Sequence, residues 1–247
     1  MDSGNSGDMQ IAQMLVDGDM LISDLSQRLG KNVTETERVK YIKLAQQIDP
    51  NFSPNTNKVR YNLQKRWESG DLWNNRVAIN TALGHLADLK VAADELQNTN
   101  LIKYNSFKNM LKKEIGNPEI AQFEINLNLL SEELAKIYKG GNAAPTEQEM
   151  KQMKDAILSN YSPKQFSAVA NKTTELLSSR LTSLSTSYKS TMGKDPTDII
   201  DQDKLDMLRN AGIDISKIEK NISADNSSAG RWQSSQGTQG RWQAAQK

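Results

Sequence analysis

From Leu72 to Gln97 the chain carries no proline and a single glycine, and apolar residues recur three, four or seven apart: Ile79, Leu83, Leu86, Ala93, Leu96. That spacing lines up one face of a helix, whereas a half-buried strand needs strict alternation. No alternating stretch of convincing length occurs anywhere else in the chain. The expectation is an all-α protein: a multi-helix bundle of long near-antiparallel helices joined by short connecting helices. Ala78, Ala82, Gly84 and Ala92 keep part of the long stretch slim, which lets a neighbour come close.

The punctuation on either side supports the same class. Residues 1–8 are small and polar and are expected to be disordered. A helical core domain should occupy 9–193. It begins with two turns from Met9 to Val16, with Ile11, Met14 and Leu15 on one side, broken at Asp17-Gly18-Asp19. Met20–Leu29 resumes the pattern and Gly30 is placed to cap it. Thr34 and Glu37 read as a capping box opening a helix to Ile48, with Val39, Ile42 and Ala45 or Gln46 inward; Asp49-Pro50 stops it. Ser53-Pro54 starts a helix through Val59, Leu63 and Trp67 to Gly70. After 72–97 come a connection over 98–105 and a helix over 106–115 ending at Gly116. Asn117-Pro118 opens a helix with Phe123, Leu127, Leu130, Leu134 and Ile137 inward, ending at Gly140-Gly141. Thr146 and Glu149 form a second box before Met150, Met153 and Ile157. Ser162-Pro163 then opens a last long helix, striped by Phe166, Val169, Thr173, Leu177, Leu181, Leu184 and Tyr188, that ends at Gly193. Residues 194–222 read as a short helical extension split at Gly212. From Ser223 the composition turns to serine, glycine, glutamine and alanine, a tail with too little to bury to fold by itself. Within it Gly230-Arg231-Trp232-Gln233 returns as Gly240-Arg241-Trp242-Gln243.

Composition narrows function more than fold. Of 247 residues 36% are hydrophobic and mean hydropathy is −0.67, so the core is modest against the surface. The 31 basic and 30 acidic residues nearly cancel, which removes the usual electrostatic pointer to nucleic acid or anionic lipid. Without cysteine there is no disulfide, thiolate zinc site or cysteine nucleophile. No apolar run approaches the roughly 20 residues of a membrane span, and Met1 to Gly7 is not a signal peptide, so the chain is expected to stay in the cytoplasm unless something carries it.

The candidates for chemistry are few. His85, the one histidine, has no histidine or cysteine partner for a metal, and its ordinary reading is a packed or hydrogen-bonded residue beside Thr81 and Asn80. The carboxylate pairs Glu132-Glu133, Glu147 with Glu149, and Asp201 with Asp203 sit in charged helical contexts where solvation explains them. No phosphate-cradling glycine loop or nucleophile–base spacing is present, so an enzyme is not expected, no cofactor or metal is called for, and no residue is assigned a catalytic role. Basic clusters at Lys58, Arg60, Lys65 and Arg66, and at Lys108, Lys112 and Lys113, read as solvated faces. The better binding candidates are Arg231, Trp232, Arg241 and Trp242, since arginine and tryptophan are common interface anchors and can also stack on single-stranded bases; the alternative is a tolerated tail with no binding role.

Several short motifs then occur in one order: Ile11-Ala12-Gln13, Gln47-Ile48-Asp49-Pro50-Asn51-Phe52, Arg60, Ser69-Gly70, and Ile79-Asn80-Thr81-Ala82-Leu83-Gly84-His85-Leu86. Together with Glu133 to Gly141, Ser179 to Leu184, Tyr188 and Met192-Gly193, this series resembles a segment of tailed-bacteriophage and prophage virion-associated proteins, across most of residues 10–193. The resemblance implies a structural or ejection role, as an internal or tail-associated particle protein, and transfers no catalytic residue. It implies assembly with other phage virion proteins, self-association, contact with DNA during delivery, and residence in the virion after a period in the host cytoplasm. The alternative is a prophage-encoded intracellular adaptor or regulator holding a protein partner. A third and weaker reading, a cell-wall enzyme, would need a catalytic carboxylate.

Overall fold

The computed structural model describes residues 3–97, 111, 116–140, 143–158, 163–197 and 199–220, and these are α-helices joined by turns, with no strand among the described residues. The protein is all-α. The helices are α1 (Ser3–Asp17), α2 (Leu25–Leu29), α3 (Glu35–Ile48), α4 (Pro54–Ser69), α5 (Asp71–Gln97), α6 (Pro118–Tyr138), α7 (Glu147–Leu158), α8 (Pro163–Met192) and α9 (Gln202–Asn210), with a 3-10 turn at Ile22–Asp24. No described helix is long and apolar enough to cross a membrane. The connection over 98–105, most of the helix expected over 106–115, and the tail from 223 lie outside the described residues.

The caps form as the side chains dictate. Thr34 Oγ1 accepts the Glu37 amide at 3.3 Å while Glu37 Oε2 accepts the Thr34 amide at 2.9 Å, and Thr146 with Glu149 repeats the exchange. Asn117 Oδ1 accepts the Ile120 amide ahead of a proline in the first turn.

Two compact units divide the chain: residues 1–73 with 187–194, and residues 74–186 with 195–247. The stretch expected to hold one core, 9–193, carries two hydrophobic clusters, one in each unit.

In the first unit Ala12 and Leu15 of α1 pack on Tyr41 and Ala45 of α3, with Met20, Leu25 and Phe52 closing the cluster. Here the sequence expectations need three corrections. The helix starts at Ser3, so residues 3–8 are not a disordered lead-in; Asp8 accepts a hydrogen bond from Tyr41 Oη at 2.7 Å and pairs with Lys40, which ties the first turns down. Tyr41, not Val39, faces inward on α3, because its ring fills the core while its hydroxyl reaches Asp8. On α4, Val59 is 56% exposed and Asn57 is buried in its place. Asn57 Nδ2 donates to the carbonyls of Leu15 and Met20, both at 2.8 Å, and Asn57 Oδ1 accepts the Ile22 amide at 3.2 Å. The break after α1 leaves backbone groups that a valine could not satisfy.

In the second unit α5, α6 and α8 share one cluster with α9, where Leu205 and Leu208 are buried, and with Ile213, Ile215 and Ile218 beyond it. The α6 stripe is buried as expected, and Phe123 meets Phe166 of α8 edge-on at 6.2 Å. Phe123 against Phe166 and Ile137 against Arg180 set α6 and α8 running the same way. The intervening α7 reverses direction, with Glu124 on Lys154 and Lys139 on Glu149. Neighbours in sequence are therefore antiparallel, while the long pair 118–139 and 163–192 is not, because α7 supplies an extra reversal. Gly84 faces the aliphatic stem of Lys204, 3.3 Å from where a Cβ would stand. The slim stretch of α5 thus admits α9.

Candidate functional site

The clearest binding geometry lies between α6, α7 and α8. Leu134, Ile137 and Tyr138 form one wall, Met153, Ala156 and Ile157 the second, and Thr173, Leu176, Leu177 and Arg180 the third. They enclose a groove of about 320 Å³, the lower end of the range for small-ligand or side-chain pockets. Each wall follows from helix geometry. The stripe that buries Leu134 and Ile137 leaves Tyr138, one residue on, 70% exposed at the rim. Leu177 points into the core and its neighbour Leu176, 55% exposed, cannot. Arg180 donates from Nη2 to the Ile137 carbonyl at 3.4 Å and closes one end. The loop after α6 is held by Lys139, which pairs with Glu149 at 2.8 Å and donates to the Ala144 carbonyl. With Lys139 and the Thr146 hydrogen bonds around it, Glu149 is held down to about 2 and stays charged.

On the other side of α6 and α7 a second, more open groove is lined by Ile125, Leu129 and Met150 with Glu132, Glu147, Lys151 and Lys154. It brings together Glu132 and Glu147, one from each of two carboxylate pairs singled out in the sequence. Glu132 is paired with Lys136 at 2.8 Å and Glu147 is exposed in the first turn of α7, so both keep polar surroundings. Asp203 lies below the usual carboxylate range through Lys204. Among the described residues no group of three or more potential ligands stands where it could hold a metal ion.

The α5 candidates separate. His85 is half-buried, and no hydrogen bond joins it to Asn80 or Thr81. Asn80, 5% exposed, instead donates to the carbonyls of Arg76 and Ile199 at 3.1 and 3.0 Å and accepts the Asp201 amide at 2.9 Å. Its role is to pin the segment leading into α9 onto α5.

The basic cluster of α4 resolves into contacts within the first unit. Arg60 donates to the carbonyls of Val16 and Thr191 and pairs with Asp49 at 2.7 Å. Burial pushes the Asp49 carboxyl up, but the Asn51 amide and Arg60 outweigh it and hold it below the ordinary value. Arg66 forms two hydrogen bonds to Asp71, and Lys65 stands over the Tyr61 ring at 4.6 Å. Lys58 is exposed. Lys108, Lys112 and Lys113, like Arg231, Trp232, Arg241 and Trp242, lie outside the described residues.

Sequence reasoning missed the groove. Its one available signal was the pairing of a buried leucine with an adjacent leucine on α8, which places an apolar side chain off the core face. Comparison with protein-family models, with curated proteins and with solved structures finds no match to this chain.

Proposed function

We propose that this protein is a non-enzymatic assembly protein that works by holding protein partners, and that its setting is the particle of a tailed bacteriophage. The observation that carries the first half is the apolar groove of the second unit, rimmed by exposed Tyr138 and Leu176. An aromatic and an aliphatic side chain beside a small apolar cleft suit the anchor of a partner helix or peptide. The second half rests on the ordered motifs from Ile11-Ala12-Gln13 to the Ile79–Leu86 run. On this reading the chain is an internal, ejection-type or tail-associated virion protein that assembles with other particle proteins and travels with the DNA. The test is mass spectrometry of purified particles. The expected result is the chain at stoichiometric level in wild-type particles and its loss from particles carrying Leu176→Glu. Absence of the wild-type chain from particles would overturn the virion setting.

The small size of the groove also suits a single anchoring side chain, which favours, as the second reading, a prophage-encoded intracellular adaptor with one partner. Expression early in infection with no copies in the particle would select it.

A further inference from the structure

We propose that the groove between α6, α7 and α8 is occupied by this chain's own tail, with the Trp232 indole seated in it. The inference rests on the reading of that groove as a protein-docking surface and names its resident occupant.

The placement of the chain's last described turn points to it. Residues 213–220 lie against α8: the Asp214 amide donates to Asn171 Oδ1 at 3.1 Å, Ile218 is buried, and Lys217 pairs with Glu175 at 2.6 Å. Glu175 is the residue next to Leu176 at the groove's rim. The last described residues therefore pack on the helix that forms one wall of the groove, on the face that Asn171 and Glu175 share, away from Thr173, Leu177 and Arg180. From Glu175 to Arg180 that wall is about 8 Å long. The chain from Lys220 to Trp232 can span up to about 40 Å. That is ample to pass around a helix about 10–12 Å across, and attachment to the same helix keeps the tail's effective concentration at the groove high.

Composition selects the occupant. From Ser223 onward Trp232 and Trp242 are the sole apolar side chains larger than alanine, so nothing else in the tail could fill an apolar cleft. Each follows an arginine, and the groove's rim carries the exposed Tyr138 ring, whose face attracts a guanidinium. Attachment favours the nearer copy, Trp232. A partner that binds this groove must then displace the tail, so the contact works as a built-in competitor.

The test uses the full chain. Trp67 and Trp73 belong to the other unit and give a constant background, measured in a Trp232→Ala, Trp242→Ala double variant. In the Trp242→Ala variant, iodide quenching then reports Trp232. The expected result is a quenching constant several-fold below that of a free Gly-Arg-Trp-Gln peptide, unchanged on dilution. It should rise to the peptide's value on Leu176→Glu and stay low in Leu176→Met, with far-UV circular dichroism the same in all. Peptide-like quenching of Trp232 in the Trp242→Ala protein would overturn the proposal, and protection lost on dilution would replace it with docking between two copies. If Leu176→Glu abolished particle incorporation while Trp232 was already quenched like the peptide in the Trp242→Ala protein with Leu176 intact, the tail contact would fall and the docking surface would stand.

Discussion

Replacing Asn57 with alanine tests the account of the first unit most directly. The side chain is 1% exposed and makes three hydrogen bonds, to the carbonyls of Leu15 and Met20 and from the amide of Ile22. Leu15 lies in the last turn of α1, and Met20 and Ile22 in the turn that follows it. A net contribution near 1 kcal/mol for each bond gives a loss of about 3 kcal/mol, with the stranded backbone groups setting the upper side of that figure. Urea slopes of about 1–3 kcal/mol/M turn this into a midpoint shift of roughly 1–3 M. Trp67 is the natural reporter, being buried in the same unit with its ring 4.6 Å from that of Tyr188. Its fluorescence follows this unit even if the two units unfold separately. Asn57→Asp has the same shape yet should cost more, since it removes both donors and turns a carboxylate toward two carbonyl oxygens. A shift in Asn57→Ala below about half a molar, about the size expected of an exposed substitution, or an Asn57→Asp protein more stable than Asn57→Ala, would refute the reasoning.

Gly18 and Gly84 should respond in opposite senses to alanine. Gly18 has φ +77° and a Cβ there would lie 2.7 Å from the Arg60 backbone, so Gly18→Ala should lose well over 1 kcal/mol, the order of the backbone strain alone. Gly84 meets just the movable stem of Lys204, and Gly84→Ala should gain up to about 1 kcal/mol of helix propensity, both read by thermal melts. Phe123→Ala removes a fully buried ring and should cost about 3–5 kcal/mol by denaturant titration, with the edge contact to Phe166 lost. Glu37 and Glu149 are both held down to about 2, chiefly by Lys31 and Lys139 respectively. A carboxyl lowered on folding contributes stability above its unfolded value near 4.3, and that contribution fades as pH falls toward 2. Carbon-detected NMR should find both side chains still ionised at pH 3, and Glu149→Gln should flatten part of the acid limb. Burial and then Asp8 push the Tyr41 phenol up to about 12, and burial also raises Tyr188, so absorbance at 295 nm should show a late tyrosine ionisation that reaches pH 12 through Tyr41. The Tyr41 contribution is present below pH 10 and lost as pH rises through 12; Tyr41→Phe should remove its part of the late ionisation and leave that of Tyr188.

Helix ends are the part of this fold most plainly written in the residues, because a cap is a local contract. Thr34 with Glu37, Thr146 with Glu149, and Asn117 before Pro118 each need no more than a few neighbouring atoms, and Gly30 and Gly193 stop their helices at positive φ. Inward faces are legible where the core is apolar throughout, as along α6. They are not legible on α3 and α4, where ranking by hydrophobicity prefers Val39 and Val59 to Tyr41, Asn57 and Arg60. The deciding factors there are distant polar partners that no periodicity records: Asp8 for Tyr41, and the carbonyls at the end of α1 and in the turn after it for Asn57 and Arg60. His85 and Asn80 show the same limit: both sit on α5, but Asn80 finds its partners at Ile199 and Asp201, far along the chain. The groove was least accessible, since it exists only once helices from three regions are packed and the off-face Leu176 and Tyr138 are left at one edge.

The first unit joins residues 1–73 to a distant segment, 187–194. Trp67 meets Tyr188, Arg60 caps the Thr191 carbonyl, and Asp17 pairs with Lys194 at 2.8 Å. On a ribosome, residues 1–73 must therefore wait for more than a hundred further residues before these contacts can close, and loops of that length close slowly. The amino-terminal segment is a half-finished body for most of its own synthesis. A shortened chain ending before Ser187 would leave the Trp67 ring without its Tyr188 contact for good, a surface on which a chaperone or a neighbouring chain could act.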